Sequence, residues 1–110
     1  MADTEYEIIV NELPEGGSEL ILVGDLTIDH VAKIYDNMVQ NMNKSTIERI
    51  RLKDVVNIDM SVIQVIISLM NKQSQENKKV VIVNELEEPL FDLLQKAGID
   101  QVFSSIAKAN

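Results

Sequence analysis

The chain of 110 residues is about the size of one domain. Ten Lys and Arg residues against eighteen Asp and Glu residues give a formal net charge of −8 at pH 7, which argues against binding to nucleic acid or to anionic membranes. The absence of cysteine excludes disulfides, thiolate metal sites and cysteine nucleophiles, and a single histidine, His30, excludes multi-histidine metal sites.

Two short apolar segments open the chain and predict a pair of strands. Residues 5–10 and 19–23 are rich in strand-forming side chains, and residues 11–18 between them hold a proline and a pair of glycines. Two strands so close in sequence are most simply an antiparallel hairpin. Gly24 and Asp25 are expected to end the second strand.

The spacing of apolar side chains predicts the first helix. Between residues 31 and 42 they recur every three or four positions, as on one face of a helix. Thr27 or Asp29 is expected to cap this helix, because each side chain can accept a hydrogen bond from a free amide of the first turn. His30 is expected to be an exposed surface residue, because a cation in the first turn is mildly unfavourable.

A strand, a loop and a second helix are predicted next. Residues 47–52 indicate a third strand, since Ile50 and Leu52 fall on one face and the arginines of residues 49 and 51 on the other, and residues 53–59 are expected to form a loop. Residues 62–70 are almost continuously apolar, whereas residues 71–78 are polar. This contrast predicts one helix with a buried first half and a solvated second half.

The last third of the chain predicts a strand, a helix and an apolar tail. Residues 80–83 form a continuous apolar run, typical of a covered strand in a parallel sheet. Pro89 suits the first turn of a last helix, and Gly98 suits its end. The apolar side chains of residues 99–106 are expected to pack back onto the sheet. The alternation after the hairpin implies right-handed parallel crossovers, and therefore a mixed sheet.

The junction at residues 57–64 is the candidate site. In a parallel sheet with helical crossovers, ligand and partner sites lie beyond the carboxyl ends of the strands. Ser61 is followed three residues later by Gln64, so one interpretation is that Ser61 only caps the second helix. The functional interpretation is phosphorylation of Ser61, because a helix N-terminus tolerates the added negative charge and a docked partner would feel it. The spacing leaves both interpretations open.

An ordered set of segments resembles the STAS domains, a family named after sulphate transporters and anti-sigma-factor antagonists. Val-Val-Asn-Ile-Asp-Met-Ser at residues 55–61 looks like the family junction, hydrophobic-Asp-Ser-Ser/Ala-Gly before an apolar helix. Gly-Asp-Leu at residues 24–26 resembles the family's Gly-Glu-Leu, and residues 79–84 and 93–103 resemble its penultimate strand and closing helix. The resemblance covers about residues 5–103 of a single domain, followed by a tail at 104–110.

The resemblance implies an α/β, STAS-like fold: an N-terminal hairpin, then alternating βαβα, with a mixed sheet of four or five strands and helices mainly on one face. It aligns Ser61 with the family's phosphorylated serine and Asp59 with the acid before it. Met60 and Val62 depart from the pattern, since the family has a small polar residue and a glycine there. The expected partner-binding residues lie at this junction and in the loop after the second strand: Asp25, Thr27, Asp29, Asp59, Met60 and Val62.

The resemblance also implies a function. A bacterial, cytoplasmic regulator of the anti-sigma-factor-antagonist type docks on a serine kinase or anti-sigma factor while Ser61 is unmodified, loses affinity when Ser61 is phosphorylated, and is reset by a phosphatase. The chain is accordingly expected not to be an enzyme and to need no cofactor, metal, nucleic acid or membrane insertion. The main alternative is an unphosphorylated STAS scaffold in a chemotaxis or lipid-transport complex, which Val62 favours.

Three further interpretations have less support from the residues. A nucleotide binder is conceivable, because some family members hold nucleotides at the same junction. A small carboxylate-dependent enzyme remains formally open, although no nucleophile–base pair is recognisable and no catalytic residue is assigned. Asp25, Asp29, Asp54 and Asp59 could in principle gather around a hard cation, but they lack the spacing of a metal-binding loop. The oligomeric state is left open.

Overall fold

The fold is built around one mixed sheet. The structure, a computed structural model, describes residues 5–76, 80–85, 88–96 and 106–108. The strand order is β1-β2-β3-β4-β5, with β1 antiparallel to β2 and all other neighbours parallel. The elements in chain order are β1 (Tyr6–Glu12), β2 (Ser18–Leu26), α1 (Val31–Lys44), β3 (Ile47–Ile58), α2 (Met60–Gln75), β4 (Val81–Asn84), α3 (Glu88–Lys96) and β5 (Ile106–Lys108). The predicted hairpin, the alternation after it and the mixed sheet are confirmed.

The core lies between one face of the sheet and helices α1 and α2. Alternate residues of the central strands point into it, as the period of two along a strand requires. Helix α1 contributes Ile34 and Met38, and α2 contributes its first half, as predicted, while most of α2 beyond Met70 is exposed. The buried core side chains are Leu20, Leu22, Leu26, Ile34, Met38, Ile47, Ile50, Leu52, Ile58, Val62, Ile63, Ile66, Leu69, Met70, Val80 and Ile82.

Strands β2 and β3 are longer than the sequence predicts. The loop expected at residues 53–59 is wrong, because β3 stays paired with β2 as far as Ile58, and β2 continues through Gly24 to Leu26. Asp54, with a φ of 49°, and register shifts on both sides of Gly24 allow the pairing to continue past an irregularity. Gly24 has a φ of 93°, and a Cβ there would collide with the carbonyl oxygen of Glu5.

This extension determines where the candidate site lies. Pairing between β3 and β4 reaches Leu52 and Asn84, whereas the described pairing of β3 with β2 continues to Ile58. The connections β2–α1 and β3–α2 therefore leave the sheet side by side at the carboxyl ends of two parallel strands.

The start of α1 also differs from the expectation. His30 is its N-cap residue and makes no side-chain cap hydrogen bond, so the prediction that Thr27 or Asp29 caps α1 is wrong. The backbone turns into the helix through bonds from the His30 amide to the Thr27 carbonyl (2.9 Å) and from the Val31 amide to the Ile28 carbonyl (3.4 Å). Thr27 lies three residues before the N-cap, and its hydroxyl donates a hydrogen bond to Asp25.

The end of the chain confirms part of the prediction. Pro89 is the second residue of α3, and Ile106 begins β5, which pairs in parallel with β4. The helix stop predicted at Gly98 and most of the apolar tail lie outside the described residues. None of the described helices is long and apolar enough to cross a membrane.

Candidate functional site

Asp59 lies directly before α2 and binds the first turn of the helix. Its Oδ1 accepts hydrogen bonds from the Ser61 amide (3.0 Å), the Ser61 hydroxyl (2.5 Å) and the Val62 amide (3.4 Å). Asp59 is therefore the N-cap, because it lies directly before the first helical residue and satisfies free amides of the first turn. The interpretation in which Ser61 caps the helix in a box with Gln64 is wrong, because Ser61 is the second residue of the helix and donates to Asp59.

The second carboxylate oxygen of Asp59 reaches a different element. Its Oδ2 accepts a hydrogen bond of 2.8 Å from the amide of Ile28, in the β2–α1 connection, and its backbone amide donates to the Leu26 carbonyl (3.2 Å). Burial raises the pKa of Asp59, but the hydrogen bonds from Ser61, Ile28 and Val62 outweigh burial, so its pKa lies below the ordinary value. The carboxylate form is thus the one this site stabilises.

Asp25 anchors the same connection from the other side. Only 7% of Asp25 is exposed, and it accepts hydrogen bonds from the Thr27 hydroxyl (2.9 Å) and the Asn57 side-chain amide (3.2 Å). His30 Nε2 lies 3.5 Å from Asp25 Oδ2, and the His30 ring lies 5.1 Å from that of Tyr6, centroid to centroid. His30 is therefore half-buried beside a carboxylate and an aromatic ring, which corrects the expectation of an exposed surface residue.

The four aspartates considered for a cation do not converge. Asp25 and Asp59 are held by the separate contacts above, whereas Asp29 and Asp54 are exposed on the β2–α1 connection and on β3. Among the residues that the structure describes, no three His, Asp or Glu side chains are grouped so that they could hold a metal ion.

Two exposed apolar residues lie near Ser61: one precedes it in the sequence, and the other binds Asp59, which also binds Ser61. Ile28, whose amide binds Asp59, is 67% exposed, and Met60, which precedes Ser61, is 42% exposed. Ser61 itself is half-buried. Val62, by contrast, is fully buried and belongs to the core, so its side chain has no surface to offer a partner.

The structure thus unites most of the residues that the sequence indicates. Asp25 and Thr27 form one hydrogen-bonded group, and Asp59 and Ser61 form another. Met60, which lies between Asp59 and Ser61 in the sequence, is exposed at the surface. Sequence reasoning missed the role of Ile28. A large apolar residue within a polar connection was the available indication, but the hydrogen bond of its amide to a residue 31 positions later has no sequence pattern.

A second polar cluster lies on the opposite face of the sheet from α1 and α2. Glu19 is 3% exposed and accepts hydrogen bonds from Arg49 Nε (2.6 Å), Arg51 Nε (3.1 Å) and Asn11 Nδ2 (3.4 Å), and Arg51 also donates to Glu85 (2.6 Å). Burial raises the pKa of Glu19, but the hydrogen bonds from Arg49, Asn11 and Arg51 and the charge of Arg51 lower it below the ordinary value. Within the described part of the chain, the side chains that bind the Glu19 carboxylate all lie on strands of the sheet.

Comparison with known proteins gives structural relatives but no sequence relatives. No protein-family model matches the chain, and no curated protein matches it. The unphosphorylated anti-sigma factor antagonist SpoIIAA matches with a TM-score of 0.71 at 12% identity, covering 94% of this chain and 89% of that one. The phosphorylated form of the Bacillus cell fate determinant SpoIIAA matches with a TM-score of 0.66 at 11% identity, covering 94% and 92%.

A third solved structure is similar to the same extent. A candidate anti-sigma factor antagonist from Thermotoga maritima matches with a TM-score of 0.72 at 17% identity, covering 94% of this chain and 86% of that one. At these identities the likeness establishes the fold. The chain has the STAS-like fold of the anti-sigma factor antagonists, as the sequence resemblance implied.

Proposed function

We propose that this chain is a non-enzymatic regulatory module that docks on a protein partner through the surface around Ser61 and is switched by phosphorylation of Ser61. The proposed partner is a cytoplasmic serine kinase or anti-sigma factor of a bacterium, and a phosphatase resets the switch. The observation that carries the proposal is the position of Ser61, half-exposed at the start of α2, where Asp59 holds its hydroxyl. The shared fold with SpoIIAA, known in unphosphorylated and phosphorylated forms, supports it.

The proposed modification is an ordinary phosphoryl transfer. Ser61 Oγ attacks the terminal phosphorus of a nucleoside triphosphate bound to the kinase, so that an Oγ–P bond forms and the bond to the leaving nucleoside diphosphate breaks. The hydroxyl proton passes to a base of the kinase. Because Asp59 Oδ1 accepts the hydrogen bond of this hydroxyl, Asp59 orients Oγ before the transfer.

Phosphorylation weakens docking because of where the charge is placed. The phosphate adds about 1.5 to 2 negative charges beside exposed apolar side chains, Ile28 and Met60. Charged groups are depleted from the centres of protein interfaces, because each must lose its hydration when the interface closes. At about 1.4 kcal/mol per factor of ten in affinity, a modest desolvation cost is enough to dissociate the complex.

One observation favours a scaffold as the second candidate function. Met60 places a large exposed apolar side chain where the family pattern has a small polar residue. Such a surface suits permanent docking in a multiprotein complex of the chemotaxis or lipid-transport kind, with Ser61 left unmodified. Val62 is neutral in this choice, because its side chain is buried in the core and does not cover Ser61.

The test compares the affinities of variants for the partner captured from native cells by the unmodified chain. We expect Ser61→Glu to weaken binding at least tenfold by calorimetry, and Ser61→Ala to stay within about twofold of wild type. Ser68→Glu is the matched control, since Ser68 is a second serine of α2, exposed and away from the start of the helix. Equal affinities for all four chains would contradict the switch and leave the scaffold as the better account.

A further inference from the structure

We propose that Asp59 couples the state of Ser61 to the β2–α1 connection, so that phosphorylation of Ser61 releases the backbone of Ile28. We call the hydrogen bonds that the Ser61 hydroxyl and the Ile28 amide donate to the Asp59 carboxylate the Asp59 bridge. The inference rests on the proposed phosphorylation of Ser61 and adds how the modification reaches a second part of the docking surface.

The two oxygens of one carboxylate serve two different elements. Oδ1 binds the start of α2, through the amide and hydroxyl of Ser61, and Oδ2 binds the amide of Ile28 at 2.8 Å. A carboxylate is planar and rigid, so Oδ2 cannot keep its place when Oδ1 is displaced. A change at Ser61 is therefore transmitted to Ile28 by geometry alone.

Phosphorylation acts on Oδ1 in three ways, all in the same direction. The phosphoester oxygen of Ser61 carries no hydrogen, so the 2.5 Å bond to Oδ1 is lost. The phosphate dianion repels the nearby carboxylate. The phosphate oxygens also compete with Asp59 for the amides of Ser61 and Val62. The phosphate carries more negative charge than the carboxylate, and the positive end of the helix dipole favours it.

Ile28 is the part of the connection that depends most on the Asp59 bridge. Ile28 is 67% exposed and does not belong to the buried core, so the hydrogen bond from its amide to Asp59 is its main contact with the start of α2. The connection is held at its other side by Asp25, which binds Thr27 and Asn57 and lies beside His30. These Asp25 contacts do not involve Ser61, so the released segment is confined to the tip at Ile28.

The experiment measures amide hydrogen exchange by NMR on the isolated full chain. Phosphoserine is incorporated at position 61 during translation, and at position 68 in the control chain. We expect the Ile28 amide to exchange about tenfold faster or more with phosphoserine at position 61, because it loses a charged acceptor. The Asp25 amide, bound to the Glu5 carbonyl at 2.8 Å, is the internal reference and should be unchanged.

A variant separates the bridge from the cap. Asp59→Ser retains a good N-cap residue but has no second oxygen for Ile28, so it should accelerate Ile28 exchange without any phosphate. Asp29→Ser makes the same change at an exposed position of the connection and should leave the Ile28 amide at its wild-type rate. If Asp59→Ser does not fold, the two phosphoserine chains decide the question.

The outcomes distinguish the bridge from the switch. An Ile28 exchange rate that is the same with and without phosphoserine at position 61 would overturn the coupling, whatever happens to partner affinity. Faster Ile28 exchange together with unchanged partner affinity would support the coupling and contradict the proposed function. Faster exchange with weakened binding supports both.

Discussion

Glu19 and Asp59 are two carboxylates with lowered pKa values and opposite surroundings. Glu19 lies on the sheet face away from α1 and α2, almost fully buried, and is bound by side chains of β1 and β3. Asp59 lies at the carboxyl end of β3 and is bound by backbone amides and one hydroxyl, next to exposed apolar residues. Both carboxylates have hydrogen-bond partners, but only Asp59 lies at a surface that a protein partner can reach.

The difference lies in which partners can be changed chemically. Arginine and asparagine side chains hold Glu19, so this cluster changes only by mutation or by acid. Ser61 is a partner of Asp59 that a kinase can convert from a hydrogen-bond donor into an anion. The same kind of charged contact therefore stabilises the sheet at Glu19 and is suited to respond to a modification at Asp59.

The largest expected effect comes from removing the charge of Glu19. Glu19→Gln leaves Arg49 and Arg51 without their shared carboxylate, and we expect the free energy of unfolding to fall by about 2 kcal/mol. This is less than for a fully buried pair, because both arginines retain partial access to water. Urea denaturation measures it, with the exposed Glu7→Gln as the matched control. A loss equal to that of Glu7→Gln would show that the cluster does not stabilise the fold.

The pH dependence of stability sharpens the comparison. Since the pKa of Glu19 is lower in the folded chain, its contribution is present above the unfolded pKa, at about 4.3, and is lost as pH falls through the folded value. The stability difference between wild type and Glu19→Gln should therefore be largest near pH 7 and shrink below about pH 4. Urea denaturation across this range measures it, and a difference that grows on acidification would contradict the lowered pKa.

Periodicity predicted the elements, because the core is built from regularly spaced side chains. The alternation of residues 49–52 and the apolar half of α2 appear in the structure as a strand and a helix facing one core. Periodicity did not predict the extension of β3, because its pairing depends on Gly24 of β2, far away in sequence. Residues 53–58 continue the strand in register with the end of β2, as far as Leu26 and Ile58.

The sequence located the junction before α2 but not its hydrogen bonds. The family-like junction located Ser61 and Asp59, but a capping-box spacing suggested the wrong cap, since Asp59 is an equally good cap residue and lies directly before the helix. The bond from Ile28 and the contacts of His30 join distant segments and have no local pattern. The Glu19 cluster was also missed, although two arginines alternating on one strand face indicate an acidic neighbour.

The smallest expected effects test which residue caps α2. Asp59→Ala removes the acceptor for the first-turn amides, and we expect it to lower the free energy of unfolding by about 1 kcal/mol. Ser61→Ala removes only a donor to that acceptor and introduces a better helix former, so its cost should be about 0.5 kcal/mol or less. Asp29→Ala, at an exposed position outside the cap, controls for the loss of one charge. Thermal and urea unfolding of the three variants measures the order. A larger loss for Ser61→Ala than for Asp59→Ala would restore Ser61 as the cap, and with it the interpretation in which its hydroxyl serves the helix and not a kinase.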